Sequence, residues 1–237
     1  MKIIIYLLVI LVLYSIYLFL PLYRATRKSA VLQAQTTAYE QLSSNSDMKI
    51  LVLGDSTGVG TGAGNPKDST AGRLGRDYPN ADIENISQNG LRLDGAVQKL
   101  ENIKNEKFDL ILIQIGANDI THFTKSKDTK ERLSKLLNIA EEMSSKIIVL
   151  TSGNVGLAPS FKWPISSIIT KRTLSVREIF KNEIKLRENV KYVDLYKDRE
   201  NDIFLTDINK YYADDMFHPS EHGYGVWYAE ISKVLYL

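Results

Sequence analysis

Short apolar segments alternate with helical patterns along most of the chain, and this alternation constrains the fold more than any other feature. The strongest of five predicted strands lies at residues 108–116 (FDLILIQIG), where apolar residues dominate a short segment. The other four predicted strands lie at residues 49–54, 83–86, 146–153 and 190–195. Apolar strands that are separated by helices indicate a parallel sheet covered on both faces, which is an α/β fold.

The helical patterns between the strands complete this prediction. They lie near residues 70–76, 93–102, 129–145, 173–186 and 221–236. Ligands of parallel α/β sheets bind beyond the carboxyl ends of the strands. Residues that directly follow the predicted strands are therefore the first candidates for a functional site.

The N-terminal segment is far more apolar than the rest of the chain. Residues 3–20 (IIIYLLVILVLYSIYLFL) contain one small polar residue, Ser15, and as a helix they would span roughly 27 Å. A buried core helix does not fit, because no face of this helix is polar. A cleaved signal peptide is the rival, but the apolar run is longer than usual and no small-x-small site directly follows it. We expect an uncut, single-pass membrane anchor at residues 1–22.

The segment after the anchor is polar, and residues 23–47 are predicted to be a tether or a short helix that leads to a domain at residues 48–237. Lys2 and the amino terminus stand on one side of the anchor, and Arg24, Arg27 and Lys28 stand on the other. The difference of about one charge tilts the prediction only slightly toward a cytoplasmic domain, and leaves the side of the membrane open.

Charge and cysteine content exclude several classes of function. The chain has 30 Lys and Arg against 28 Asp and Glu, and four of the cations precede the first acid, Glu40. The remaining chain is therefore slightly acidic, without the broad basic field that nucleic acid binding needs. The absence of cysteine excludes disulfides, thiolate metal sites and a cysteine nucleophile.

A glycine-rich turn, residues 54–64 (GDSTGVGTGAG), follows the first predicted strand. A dinucleotide-binding fingerprint would need glycine where Ala63 stands, and a P-loop would need lysine where Asn65 follows Gly64. Both phosphate-binding motifs therefore fail. The turn also matches the G-x-S-x-G elbow of α/β-hydrolases, but that fold places several strands before its serine, and only one precedes Ser56.

Ser56 remains a candidate nucleophile, although a serine that caps the next helix would look the same in sequence. A serine hydroxyl needs a base, and a histidine base needs a carboxylate that fixes its tautomer. His218 and Asp215, three residues apart near the C-terminus, suit these roles. Asp214 and His222 are the rival carboxylate and base in the same segment.

An attacked ester carbonyl also needs hydrogen-bond donors for its developing negative charge. The backbone N–H groups of Ser56 and Gly90 and the side-chain amide of Asn118 are donors of the right kind. Each of these residues follows a different predicted strand.

Four short segments together resemble the motif blocks of the SGNH hydrolases, also called the GDSL-like family. The blocks are GDS with Ser56, NG with Gly90, GAND with Asn118, and DMFH with Asp215 and His218. Their order and spread match over residues 49–237, with one departure, Thr57 in place of the leucine after GDS. The resemblance implies a three-layer α/β/α flavodoxin-like sandwich with a five-stranded parallel sheet.

The resemblance also implies esterase or lipase chemistry through an acyl-enzyme, without metal or cofactor. The expected substrate is a small-molecule ester, either a lipid or an acylated or acetylated carbohydrate. The alternative is a membrane-tethered binding or scaffold module that keeps the fold without turnover.

Several further residues are weaker candidates. Phe161 and Trp163, in the long loop at residues 152–166, and Tyr212 are predicted substrate contacts, although the loop aromatics could equally fill the core. Asp55 and Asp119 are predicted to hold the turns that carry Ser56 and Asn118. The loop histidine His122 could line the same cleft.

Overall fold

The computed structural model of the protein describes residues 2–235 and is built around a five-stranded parallel sheet. The strands are β1 (Met48–Gly54), β2 (Ala81–Asn85), β3 (Leu110–Gln114), β4 (Ile147–Leu150) and β5 (Val190–Val193). Their order in the sheet is β2-β1-β3-β4-β5, and all four pairings are parallel. The predicted parallel sheet is confirmed.

Nine α-helices lie within residues 2–235, and three short 3-10 turns accompany them. The helices are α1 (Lys2–Gln35), α2 (Ser56–Val59), α3 (Thr70–Asp77), α4 (Leu93–Ile103), α5 (Ala117–Thr121), α6 (Ser126–Met143), α7 (Ile165–Ile184), α8 (Ile208–Tyr211) and α9 (Glu221–Leu235). The 3-10 turns are Pro66–Asp68, Val155–Leu157 and Ile203–Leu205.

Two hydrophobic cores cover the two faces of the sheet. Alternate residues of a strand point to opposite faces, so Leu51 and Leu53 pack toward α4, α6 and α7, while Ile50 and Val52 pack toward α3 and α9. Because both faces are buried, the inner strands β1, β3 and β4 are almost continuously apolar, whereas the edge strands β2 and β5 are partly polar. The predicted three-layer α/β/α sandwich is thereby confirmed.

The helix before β5 is longer than its pattern predicts. It begins at Ile165, directly after Pro164, whereas the sequence predicts a start near residue 173. The first turns of α7 pack against the turn Val155–Leu157, because Ser166 and Thr170 lie close to Gly156. Ile169, in the same turns, is buried in the core that the later part of α7 also contacts.

The N-terminal helix α1 is long and apolar enough to cross a membrane, a test that a signal sequence also passes. Only 6 % of its most apolar stretch is buried in the structure. The helix has 34 residues and continues without a break through Pro21 to Gln35. The first half of the segment predicted as a tether or a short helix is therefore helical.

The second half of that segment is attached to the edge of the sheet. Gln41 and Ile83 of β2 exchange two backbone hydrogen bonds, of 3.1 and 2.8 Å. The side-chain amide of Gln41 donates to the carbonyl oxygens of Tyr78 and Ala81, at 2.9 and 2.7 Å. These bonds cover part of an edge strand that would otherwise expose unpaired backbone groups.

Candidate active site

The glycine-rich turn after β1 presents Ser56 at the first position of α2. The turn lies close to β3, because the backbone N–H of Asp55 donates to the carbonyl oxygen of Gln114 at 2.9 Å. Gly54 permits this approach, since a Cβ atom there would lie 2.6 Å from the same oxygen. The helix ends after one turn at Gly60, whose left-handed φ of +88° favours glycine.

Three of the predicted site residues form a continuous hydrogen-bonded chain. The Nε2 atom of His218 lies 2.8 Å from the Oγ of Ser56, and its Nδ1 lies 2.5 Å from Oδ2 of Asp215. The exposed fractions are 7 % for Ser56, 3 % for His218 and 1 % for Asp215. In this arrangement the imidazole can accept the serine proton while the carboxylate holds the other ring nitrogen.

A tight turn brings the carboxylate of Asp215 under the imidazole. Its Oδ1 accepts hydrogen bonds from the backbone N–H groups of Phe217 and His218, at 3.0 and 2.9 Å. Met216 takes a left-handed φ of +57° within this turn, which is uncommon for a residue with a side chain. Asp215 and His218 therefore come together because they lie in one tight turn, and not because they share a helix face.

The charge of Asp215 is stabilised at this position. Burial by itself raises the pKa of its carboxyl group. The hydrogen bond and the charge of His218, together with the two backbone donors, outweigh burial and hold the pKa below its usual value. Asp215 therefore presents a carboxylate to Nδ1 of the ring.

The two rival residues lie apart from this chain of hydrogen bonds. Asp214 is exposed, and His222 is an exposed residue of α9 whose Nδ1 lies 3.4 Å from Glu221. Neither makes a hydrogen bond with Ser56 or His218.

The candidate oxyanion donors follow β1, β2 and β3, which are neighbours in the sheet. Asn118 lies in α5, directly after β3, and lines the same cavity as Ser56. Its Nδ2 donates to the carbonyl oxygen of Leu91 at 3.1 Å, which fixes the amide and leaves one N–H available. Its backbone oxygen lies 2.9 Å from Nδ1 of the exposed His122.

Gly90 occupies the third position of a turn in which the N–H of Leu91 donates to Gln88 at 3.1 Å. Its φ of +76° is the value that a type II turn requires there, which explains the glycine. The turn is tied to β1 by the N–H of Gln88, which donates to Gly54 at 2.9 Å, and to the glycine-rich turn by the hydroxyl of Thr61, which donates to Asn89 at 2.8 Å.

The two acidic residues beside the site hold backbone turns. Asp55 accepts hydrogen bonds from the N–H and the hydroxyl of Thr57, at 2.9 and 2.8 Å. Asp119 accepts from the N–H of Leu93 at 3.1 Å. Burial raises the pKa of Asp119, and it raises the pKa of Asp55 to about 6 despite the two hydrogen bonds from Thr57.

The buried carboxyl group of Asp55 leads to a pH-dependence prediction. Because folding raises its pKa from 3.8 to about 6, its ionisation destabilises the folded state. This cost is absent at pH values below the pKa of the unfolded state and grows as the pH rises. It reaches about 3 kcal/mol once the pH exceeds the pKa of the folded state. The asparagine of the D55N variant would carry no charge and would keep an oxygen for Thr57. From pH 5 to pH 7.5, the wild type should lose about 1 kcal/mol more stability than D55N.

Urea unfolding of the two proteins at both pH values measures this difference. Titrating groups that do not interact with Asp55 contribute equally to both proteins and cancel in the comparison, whereas His218 and Asp119 interact with its charge and are part of the measured difference. Equal pH dependence in the wild type and D55N would show that Asp55 does not carry this cost.

A cavity of about 270 Å³ adjoins Ser56 and His218. It extends past the ends of β3, β4 and β5, where it is lined by Asn118, by residues 152–155 and by Leu195. Its apolar wall includes Val155, Leu195, Phe204, Phe217, Val226 and Trp227. No group of three His, Asp or Glu side chains within residues 2–235 is arranged to hold a metal ion.

The three predicted substrate contacts are placed differently from one another. Tyr212 lines the cavity, whereas Phe161 packs edge-on against Phe217 with 5.9 Å between the ring centres. Trp163 is 67 % exposed and does not line the cavity. The sequence alone indicates no role for Trp227 or Phe204, because their apolar character is equally typical of a core residue.

Solved structures with the same fold include several enzymes. A member of the lipolytic G-D-S-L family from Veillonella parvula has a TM-score of 0.62 and 21 % identity, over 79 % of this chain and 97 % of that one. An acetylxylan esterase from Geobacillus stearothermophilus has a TM-score of 0.54 and 19 % identity, over 81 % and 95 %. A family 3 carbohydrate esterase from Clostridium thermocellum has a TM-score of 0.56 and 19 % identity, over 78 % and 94 %.

These identities establish similarity of fold. The comparison with curated protein sequences found no match. The family model of the GDSL-like lipases and acylhydrolases matches residues 52–226, which include Ser56, Gly90, Asn118, Asp215 and His218. The chain therefore belongs to the GDSL-like lipase/acylhydrolase family of SGNH hydrolases.

Proposed function

We propose that the protein is a serine esterase that hydrolyses a carboxylic ester through an acyl-enzyme intermediate. The observation that carries this proposal is the chain of short contacts from Ser56 through His218 to Asp215, at 2.8 and 2.5 Å, beside a cavity. A serine without a base at this distance would be a poor nucleophile.

In the first half of the reaction, Nε2 of His218 takes the proton of Ser56 as Oγ bonds to the ester carbonyl carbon. The carbonyl oxygen becomes an anion, which the N–H groups of Ser56 and Gly90 and the amide of Asn118 stabilise. The intermediate collapses when His218 gives its proton to the leaving alcohol and the carbon–oxygen bond breaks. The product of this half is an ester between the acyl group and Ser56.

In the second half, water replaces the alcohol. His218 takes a proton from the water as its oxygen attacks the acyl carbon, and then returns a proton to Oγ of Ser56 as the acid leaves. Asp215 keeps the imidazole in the tautomer whose Nε2 can accept a proton at the start of each half.

The substrate is a lipid or an acylated or acetylated carbohydrate. The apolar cavity wall favours a substrate with an acyl or alkyl group in the cavity. The carbohydrate and acetylxylan esterases among the solved structures of this fold favour a carbohydrate ester.

Hydrolysis of p-nitrophenyl acetate, butyrate and decanoate by the purified full chain in detergent tests the proposal. We expect many turnovers per molecule, with acetate preferred for a carbohydrate ester and decanoate for a lipid. A protein that binds esters without releasing nitrophenol would be a binding module.

We also propose that α1 anchors the hydrolase domain to a membrane as a single pass. Its length and apolar composition support this assignment. The full chain should then stay in the membrane fraction after extraction with alkaline carbonate, and a chain without residues 1–22 should be soluble. Release of a shortened, soluble protein from cells that make the full chain would instead identify a cleaved signal sequence.

A further inference from the structure

Asn154 is a polar residue in the wall of the active-site cavity that the hydrolytic mechanism does not use. It lies in the loop after β4, next to the turn Val155–Leu157, and is only 6 % exposed. In the sheet, β4 is separated from β1, which carries Ser56, by β3 alone. Two strand spacings correspond to roughly 10 Å. Asn154 and Ser56 therefore line the same cavity from the ends of different strands.

The amide of Asn154 is hydrogen-bonded on one side. The hydroxyl of Thr170, in α7, donates to its Oδ1 at 3.0 Å. Its Nδ2 makes no hydrogen bond with any of the described residues, and the cavity is the space that this side chain lines. The arrangement leaves two N–H donors for a group inside the cavity.

Ser152 also lines the cavity, and its buried Oγ has no hydrogen-bond partner among the described residues. The other two amides and the lysine of the cavity wall differ from Asn154. Asn118 already donates to Leu91 and is a candidate for the oxyanion. Asn201 is exposed and donates to Asp198 at 2.6 Å, and Lys197 is exposed. Asn154 is thus a donor in the cavity wall that has no acceptor among the described residues, and it offers two N–H groups where the hydroxyl of Ser152 offers one.

The surroundings of Asn154 make an acceptor for its amide energetically important. Val155, Ala158 and Leu195 contribute apolar wall to the same cavity. A ligand that fills this space without offering an acceptor would remove water from the amide and leave it unpaired, which weakens binding. An oxygen atom at the right position would avoid this cost.

We propose that Asn154 is a specificity-determining residue that donates a hydrogen bond to an oxygen atom in the part of the substrate that fills the cavity. The preferred substrate is then an ester whose cavity-bound group carries an ether, hydroxyl or carbonyl oxygen some distance from the scissile bond. A plain alkyl chain of the same length is disfavoured. This inference rests on the proposed esterase function and narrows the substrate class of that site.

Moving one oxygen atom along a substrate chain tests the proposal. The first series is p-nitrophenyl octanoate and its analogues in which one CH2 group of the acyl chain is replaced by oxygen at successive positions. The second series is octyl acetate and the corresponding analogues in the alcohol. Values of kcat/KM are divided by the rate of hydroxide-catalysed hydrolysis of the same ester, which removes differences in intrinsic reactivity.

For the wild-type full chain, we expect the analogue with oxygen at one particular position, in one of the two series, to have a corrected kcat/KM about tenfold above that of the plain ester. In N154D, which keeps the size of the side chain but replaces its donors with a carboxylate, this maximum should fall to within about twofold of the plain ester. N154A should lose it as well. T170V, which removes the hydroxyl that orients the amide, should lower the maximum less.

The matched control is N105D, the same chemical change at an exposed residue before β3, at the opposite end of the sheet. It should keep the wild-type maximum. The inference is overturned if no oxygen position is preferred in either series, or if N154D and N154A keep the wild-type maximum. Failure of the proposed function is distinguishable, because then neither the plain esters nor p-nitrophenyl acetate would be hydrolysed.

Discussion

Replacement of Ser56 by alanine should reduce kcat for ester hydrolysis by about 10⁴-fold or more. The variant loses the atom that bonds to the acyl group, so any remaining rate would come from binding and from the oxyanion donors alone. The fold should persist, because the hydroxyl of Ser56 has its hydrogen bond with His218 and no other among the described residues. Turnover of p-nitrophenyl butyrate, with circular dichroism as a check of folding, measures this effect.

Ser87 offers a matched control for this substitution. It lies on the loop after β2, beside the same glycine-rich turn, and its Oγ makes no hydrogen bond with the described residues. S87A should keep kcat within a few-fold of the wild type. An S56A variant that is folded and retains near wild-type turnover would contradict the assignment of the nucleophile.

Replacement of Asp215 by asparagine should lower kcat by about 10⁴-fold, the loss seen for the equivalent change in a serine protease triad. The carboxylate at 2.5 Å accepts the Nδ1 proton of His218 and so keeps Nε2 free to act as a base. An asparagine can donate to Nδ1 instead, which would place the proton on Nε2, facing Ser56. The backbone bonds to Oδ1 could persist, so the main effect should be on kcat rather than on stability.

Asp214 provides the control for this second prediction, since it is an exposed carboxylate one residue away. D214N should remain within about twofold of the wild type, because it removes a surface charge without touching the imidazole. If D214N lost as much activity as D215N, or if D215N stayed within tenfold of the wild type, Asp215 would not be the residue that orients His218.

Much of the fold follows directly from local sequence patterns. The inner strands β1, β3 and β4 are almost continuous apolar runs because helices bury both of their faces, and such runs are visible without knowledge of the fold. The motif residues are also readable, because Asp215 and His218 lie within one turn and Ser56 follows a strand directly. The family resemblance, in turn, is confirmed by the match over residues 52–226.

Features that depend on long-range packing could not be predicted in this way. Residues 23–35 are predicted only as a tether or a short helix, and the structure shows them as a direct continuation of α1. The docking of Gln41 on β2 joins segments about 40 residues apart. Phe161 and Trp163 are two aromatic residues of the same loop, and the sequence does not distinguish them. Phe161 is half-buried because it packs against Phe217, whereas Trp163 is exposed.

The central claim is that Ser56 is the nucleophile, and the most direct test is to label the full chain with a fluorophosphonate and map the adduct by peptide mass spectrometry. The account predicts a single adduct on Oγ of Ser56, absent in S56A and slowed by an ester substrate. An adduct on a different serine, or no adduct on a protein that still hydrolyses esters, would contradict it.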